Sequence, residues 1–141
     1  MSVLVYVEYR GGSYRNSAFE AVSAGRKIAD ELGTELVAAL VGESVSGAAE
    51  ELKKYGPDKI AVAESADYTE YNQQAHAEVM KNLAEKYDAE VVLLSATTTG
   101  KDLGPRLAAK LDVSLAPDCT DLQVEGGKLI AIRPVYAGKT F

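Results

Sequence analysis

Short apolar runs alternate with helical patterns along most of the chain. Each run is rich in Val, Leu, Ile and Ala over five to seven residues, which is typical of a strand buried on both faces of a parallel sheet. The segments between the runs carry their apolar residues on one helical face. These patterns predict strands at Val3–Val7, Glu35–Val41, Lys59–Ala63 and Val91–Ser95, and helices at Ser17–Leu32, Ser46–Tyr55, Tyr68–Tyr87 and Leu103–Leu111.

The alternation of strand and helix predicts an α/β fold with a parallel sheet and helices on both faces. The pattern changes after Leu111. Val113–Leu115 is predicted to be a short fifth strand, and the alternating segments Leu122–Glu125 and Lys128–Arg133 flank two glycines, which is typical of an antiparallel hairpin. The sequence therefore predicts a single three-layer, Rossmann-like domain over residues 1–141 that ends in an antiparallel addition.

A polar turn of small residues, Ala96–Asp102, joins the fourth predicted strand to its helix. In open α/β sheets such turns lie at the carboxyl edge, where ligands bind. Asp102 is predicted to cap the helix, which places Pro105 in the first turn, where proline is tolerated. The turn fits either a phosphate site or a capped turn that binds nothing, and we favour the second, because neither a GxxxxGK[ST] nor a GxGxxG spacing is present. The candidates for phosphate binding are Thr98, Thr99, Gly100 and Lys101, with Thr97 beside them.

Composition narrows the class of protein. The chain has 141 residues, of which 47% are apolar and 26% charged, with a net charge of −6. This is an ordinary globular composition, with no clustered basic face for nucleic acid and no run of membrane-spanning length. The start of the chain lacks the basic leader of a secretory signal. The single cysteine, Cys119, excludes an internal disulfide and a cysteine-based zinc site, and it fits a reducing, cytoplasmic location.

The sequence offers no catalytic constellation and no metal-binding motif. The only histidine, His76, lies among Gln73, Gln74 and Glu78 in its helix and is predicted to be a solvated surface residue. Cys119 has no basic partner in sequence and is predicted to be a small, partly buried residue. The polar loop after the first strand is predicted to be a surface loop rather than a site. The predicted helix stripe comprises Ala75, Val79, Leu83 and Tyr87, and the loop contains Arg10, Gly11, Gly12 and Arg15.

Several separate segments resemble the α subunit of electron transfer flavoproteins. They are Val3–Glu8, Ala96–Leu111, Asp118–Leu122 and Arg133–Lys139, and they occur in the same order and with the same spacing. The resemblance implies that the chain is the N-terminal α/β domain of one subunit of a heterodimeric electron carrier. The fold of that domain is in turn similar to the adenine nucleotide α-hydrolases and the universal stress proteins.

The resemblance also implies where the cofactor and the partners lie. In this family a C-terminal domain of the α subunit holds FAD, the β subunit carries AMP in related members, and electrons pass from dehydrogenases, such as those for acyl-CoA, to an acceptor such as a quinone oxidoreductase. The chain ends at Phe141, before such a flavin domain, so we expect a truncated piece that binds no FAD itself. We expect this domain to dock on the β subunit and not to be an enzyme, with Arg133–Lys139 leading toward the flavin domain and Leu122–Ile132 shaping that exit.

An alternative is a free-standing nucleotide-binding domain of the universal stress type. The four phosphate-loop candidates would then hold the phosphates, with the loop after the first strand on the adenosine. A second glycine-plus-hydroxyl signal beside the last strand is typical of such proteins and is not found here. A hydrolase ranks last, because no nucleophile and base pair is visible.

Overall fold

The computed structural model of the chain describes residues 2–10, 13–14, 16–42, 49–64, 73–95, 97–111, 114–116 and 129–133. These residues form an alternating series of strands and helices. In chain order the elements are β1 (Ser2–Val7), β2 (Tyr9–Arg10), β3 (Ser13–Tyr14), α1 (Asn16–Leu32), β4 (Glu35–Gly42), α2 (Ala49–Leu52) followed by a 3-10 turn (Lys53–Tyr55), β5 (Lys59–Glu64), α3 (Gln73–Lys86), β6 (Ala89–Ser95), α4 (Thr98–Leu111), β7 (Ser114–Ala116) and β8 (Leu129–Arg133).

The main sheet has the strand order β5-β4-β1-β6-β8-β7, and every pair of neighbours in it is parallel. The chain first builds outward from β1 through β4 to β5, and then returns to place β6 on the other side of β1. The direction of winding therefore reverses between β1 and β6, which is the position where open α/β sheets form their binding crevice. The predicted parallel α/β fold is confirmed.

The predicted antiparallel hairpin at the C-terminal end is not confirmed. Leu129–Arg133 forms β8, which lies between β6 and β7 and is parallel to both. Because residues 129–131 are paired on both edges, no edge remains there for an antiparallel partner. The other half of the predicted hairpin, Leu122–Glu125, lies outside the described residues. The short strand predicted at Val113–Leu115 corresponds to β7.

The side chains of the central strand divide between two apolar layers. Leu4 and Tyr6 of β1 pack into the layer that contains α3 and α4, whereas Val3 and Val5 pack into the layer that contains α1. These side chains are almost completely buried, as the unbroken apolar run predicts for a strand covered on both faces. The fold is therefore the predicted three-layer sandwich of helix, sheet and helix.

The helix ends follow local signals where the sequence carries them. Gly33 ends α1 in the left-handed region, with φ of 69°, and the N–H of Thr34 donates to the carbonyl of Ala29 at 2.9 Å. This is the glycine C-cap that the sequence predicts. Gly56, with φ of 86°, ends the 3-10 turn in the same way. The parts of the second and third predicted helices at residues 46–48 and 68–72 lie outside the described residues.

Candidate functional site at the carboxyl edge

Two polar side chains meet where β1 and β6 end. Glu8 follows β1 directly and is only 5% exposed, and Thr97 lies two residues beyond the end of β6. The hydroxyl of Thr97 donates a hydrogen bond to Oε1 of Glu8. Because β1 and β6 are parallel neighbours, their carboxyl ends bring these side chains together although the residues are 89 positions apart. This pair lies at the reversal point of the sheet.

Thr97 is the N-cap of α4. The N–H of Gly100 donates to Oγ1 of Thr97 at 3.1 Å, and the N–H of Lys101 donates to the Thr97 carbonyl at 2.9 Å. The bond from Gly100 satisfies one of the amide groups that a helix leaves unpaired at its start, and the bond from Lys101 is the first regular hydrogen bond of the helix. The Thr97 hydroxyl therefore accepts from the helix and donates to Glu8 at the same time.

The sequence-based prediction that Asp102 caps this helix is wrong. The helix begins at Thr98, four residues earlier, so Asp102 lies in its second turn and pairs with Arg106 at 3.4 Å. Pro105 consequently lies inside the helix rather than in its first turn. Its ring removes one backbone hydrogen bond, on a face of α4 that is exposed to solvent.

Gly100 is required by the close approach of α4 to the end of β6. A Cβ atom at this position would lie 1.8 Å from the carbonyl oxygen of Ser95. Contact at this distance with the backbone of a central strand cannot be relieved by a side-chain rotation. The glycine that suggested a phosphate-binding turn thus has a packing reason in this structure.

The four phosphate-loop candidates fall in the first turn of α4. Thr99 and Gly100 are buried and Lys101 is exposed, whereas the side chain of Thr98 lies outside the described part of the chain. Their role in binding stays a prediction. Of the other singled-out residues, Cys119, Gly11, Gly12, Arg15 and residues 134–139 lie outside the described ranges.

His76 is buried, and its predicted place on the surface is wrong. It is 3% exposed, and its Nδ1 lies 2.7 Å from the hydroxyl of Tyr6, which is equally buried. The two rings meet edge to face. The inner face of α3 is rotated by one residue from the predicted stripe. The residues that α3 buries are His76, Ala77, Met80 and Ala84.

Four aromatic rings form a continuous row of ring contacts that the sequence did not reveal, in which only the last pair is stacked face to face. Tyr9, Tyr14, Phe19 and Tyr55 follow one another with ring centroids 4.8, 5.1 and 4.5 Å apart. Burial raises the pKa of Tyr14 to about 12, with smaller contributions from the charge of Glu51 and from Tyr9. This row of rings joins the β2–β3 ribbon to α1 and to the 3-10 turn. Its members have no regular spacing in sequence, so no local pattern could identify them.

The described residues hold no metal centre and no membrane-spanning helix. Within these ranges, no group of three or more His, Cys, Asp or Glu side chains is placed to hold a metal ion. None of the helices there combines the length and the apolar character that crossing a bilayer requires.

The fold class is that of the universal stress proteins. The structure is similar to a universal stress protein from Archaeoglobus fulgidus, with a TM-score of 0.55 and 13% identity over 94% of this chain and 98% of that chain. It is also similar to the structure of the universal stress protein from that organism in complex with dAMP, with a TM-score of 0.53, 12% identity and the same coverage. At this identity the likeness establishes the fold alone.

The chain belongs to the electron transfer flavoprotein family, because the family model described as electron transfer flavoprotein domain matches residues 3–141. It is 40% identical over 139 residues to the electron transfer flavoprotein subunit alpha of Bacillus subtilis, covering 99% of this chain. It is 38% identical to protein FixB of Clostridium saccharobutylicum and 41% identical to the acryloyl-CoA reductase electron transfer subunit beta of Anaerotignum propionicum, covering 96% and 91% of this chain. The resemblance seen in the sequence is confirmed.

The chain spans only part of these relatives. It corresponds to 42% of the Bacillus protein, 41% of the FixB protein and 35% of the Anaerotignum protein. What the whole relatives do is therefore not established for this domain by the match.

Proposed function

We propose that this chain is the N-terminal α/β domain of an electron transfer flavoprotein α subunit and that it docks on the β subunit of a heterodimeric electron carrier. The observation that carries the proposal is the match of almost the whole chain, at 40% identity, to about two-fifths of an α subunit. In this role the domain does no chemistry of its own. It supports the redox-active part of the carrier.

The cofactor of the proposed carrier is FAD, held by a domain other than this one. Electrons would enter from dehydrogenases and leave to an acceptor oxidoreductase, and we place the carrier in the cytoplasm, which the single cysteine fits. Support for the separate flavin site comes from the carboxyl edge. At the reversal point of the sheet, Thr97 caps the start of α4 and donates its hydroxyl proton to the chain's own Glu8.

Competition for the β subunit tests the docking role. A cognate β subunit is mixed with the intact α subunit in the presence of increasing amounts of this chain, and heterodimer is followed by size-exclusion chromatography. We expect this chain to bind the β subunit and to lower the amount of intact heterodimer. A universal stress protein of the same fold is the matched control and should not compete. If this chain forms no complex and leaves heterodimer formation unchanged, the docking role is wrong.

The location of the flavin has its own test. The chain is purified after expression in cells supplied with riboflavin, and its visible absorbance is compared with that of the intact α–β complex. We expect the chain to be colourless and the complex to be yellow. Flavin that copurifies with this chain at near-equal stoichiometry would overturn the proposed division between domains, without affecting the competition result.

The alternative function, a free-standing nucleotide-binding domain, has only the likeness of fold in its favour. A thermal-shift titration with ATP and AMP tests it. Lys101→Ala is the better variant for this purpose, because Lys101 is exposed in the first turn of α4. Gly100→Ala would disturb the fold through Ser95 whether or not a nucleotide binds. A saturable shift in the unmodified chain that disappears in Lys101→Ala would favour this alternative over docking.

A further inference from the structure

Glu8 carries a buried carboxylate that has no catalytic partner among the described residues. Its burial therefore needs an explanation other than catalysis. Glu8 lies at the reversal point of the sheet, next to the amino end of α4. The amino end of a helix carries a partial positive charge that favours a nearby anion. In this chain that anion is the carboxylate of Glu8, the residue that follows β1.

The hydroxyl proton of Thr97 is already in use and is not available to an external anion. Its hydroxyl proton is donated to Glu8, and its oxygen accepts the N–H of Gly100. A bound phosphate would have to displace the Glu8 carboxylate from this hydroxyl or lie beside it. Two negative charges at such close range in a poorly hydrated position repel each other.

The first turn of α4 also packs closely on the end of β6 beside this pair. The contact between Gly100 and the Ser95 carbonyl presses the first turn of α4 onto the end of β6. The connection from β6 to the helix consists of residues 96 and 97 only. The strand therefore passes into the helix without the extended glycine-rich loop whose amide groups surround a phosphate in nucleotide-binding proteins.

We infer that Glu8 determines the ligand selectivity of this edge by acting as the internal counter-anion of α4, so that inorganic phosphate and nucleoside monophosphates are excluded. The residue is thus a specificity determinant. This inference does not rest on the docking role, since it concerns the charge at one edge of the sheet.

Phosphate titration of two proteins tests the inference. The amide resonances of Thr99 and Gly100 are followed by NMR while sodium phosphate, and in a second series AMP, is added at constant ionic strength. Glu8→Gln removes the charge but keeps an oxygen that can accept from Thr97. We expect no saturable shift in the unmodified chain and a saturable shift in Glu8→Gln, with phosphate affinity higher by about tenfold or more.

Glu35→Gln is the matched control. It makes the same change in net charge, but Glu35 begins β4 at the opposite edge of the sheet and pairs with Lys59. We expect this variant to resemble the unmodified chain. A second variant, Glu8→Ala, covers the case in which Glu8→Gln does not fold. Saturable phosphate binding to the unmodified chain, or a folded Glu8 variant that gains no more binding than the control, would overturn the inference.

Discussion

The hydroxyl of Tyr6 lies 2.7 Å from Nδ1 of His76, and the two side chains are each 3% exposed. Tyr6 belongs to the central strand β1, and His76 belongs to the first turns of α3. The hydrogen bond thus fixes one end of a covering helix to the middle of the sheet. A polar pair in this position is stabilising only while both groups are bonded, because buried polar groups have no water to replace a lost partner.

We expect Tyr6→Phe to lower the free energy of unfolding by about 1–3 kcal/mol, since it removes this bond while keeping the ring. Urea denaturation followed by circular dichroism measures the change. Tyr55→Phe is the control, because it removes a hydroxyl from a half-buried ring that stacks on Phe19. Its effect should stay within about 0.5 kcal/mol. Equal effects of the two substitutions would contradict the structural role of the buried pair.

The contact between Gly100 and Ser95 leads to a second prediction. Gly100→Ala should destabilise the protein by about 3 kcal/mol or more or prevent folding, because the new methyl group meets the backbone of a central strand. The thermal unfolding midpoint and the yield of soluble protein report the effect. Lys101→Ala changes the next residue of the same helical turn, which is exposed, and should leave stability within about 0.5 kcal/mol. A folded Gly100→Ala protein as stable as the Lys101→Ala control would show that α4 does not approach β6 this closely.

Gly25 allows α1 to approach the sheet closely. Because Gly25 faces Val5 across this approach, we expect substitutions at the two positions to have non-additive effects on stability. A Cβ atom at Gly25 would lie 2.5 Å from Cγ2 of Val5 and 2.9 Å from Cδ1 of Leu36. Both are side-chain atoms that can shift, so we expect Gly25→Ala to cost about 1–2 kcal/mol, less than Gly100→Ala. Val5→Ala makes room for the added methyl group. In a double-mutant cycle of chemical denaturation, the double variant should therefore lose less stability than the sum of the single variants. Strict additivity would contradict the close contact.

The parts of the fold that the sequence predicted are those with a local signal. The runs that become β1, β4 and β6 are almost entirely apolar, and these strands are buried on both faces. The run that becomes β5 has a similar pattern, but β5 lies at the edge of the sheet and its Val62 is 40% exposed. Gly33 marks the end of α1 because few other residues adopt its backbone conformation easily. The pairing of β8 has no such signal. An alternating pattern beside two glycines does not distinguish a parallel strand from an antiparallel one, because the partner is chosen by the path of the whole chain.

The candidate site was predicted only in outline, because its geometry depends on contacts between distant residues. The sequence placed the turn after β6 at the working edge of the sheet, but the prediction took Asp102 as the cap of the helix that follows. The observed start at Thr98 is fixed by Thr97 and, through it, by Glu8. The sequence signal that could have indicated this contact was Glu8, an acidic residue directly after a buried strand. For His76, the prediction followed its polar neighbours in sequence, although its spacing of four residues from the buried Met80 puts both on one face of α3.

The hydrogen bonds to Asp58 lead to a prediction of how the stability of the domain changes in acid. Its Oδ2 accepts the backbone N–H of Leu36 at 2.7 Å and Nη1 of Arg26 at 2.9 Å, while Arg26 also binds the carbonyl of Gly56. The bond from Leu36, followed by the one from Arg26, lowers the pKa of Asp58 below its ordinary value of 3.8. The contribution of Asp58 to stability is therefore complete above that value and is lost as the pH falls through the lower pKa of the folded state.

We expect Asp58→Asn to lower the free energy of unfolding at pH 7 by about 1 kcal/mol, a modest value because the carboxylate is partly exposed. The difference from the unmodified chain should begin to shrink as the pH falls below 3.8, where Asp58 of the unfolded chain is protonated, and should be lost below the lower pKa of Asp58 in the folded state. Urea denaturation at a series of pH values from neutral into this acidic range measures it. Asp30→Asn, which removes an exposed i,i+4 partner of the same Arg26 guanidinium, should change stability less. A difference between Asp58→Asn and the unmodified chain that is equal at every pH would show that the charge of Asp58 does not contribute.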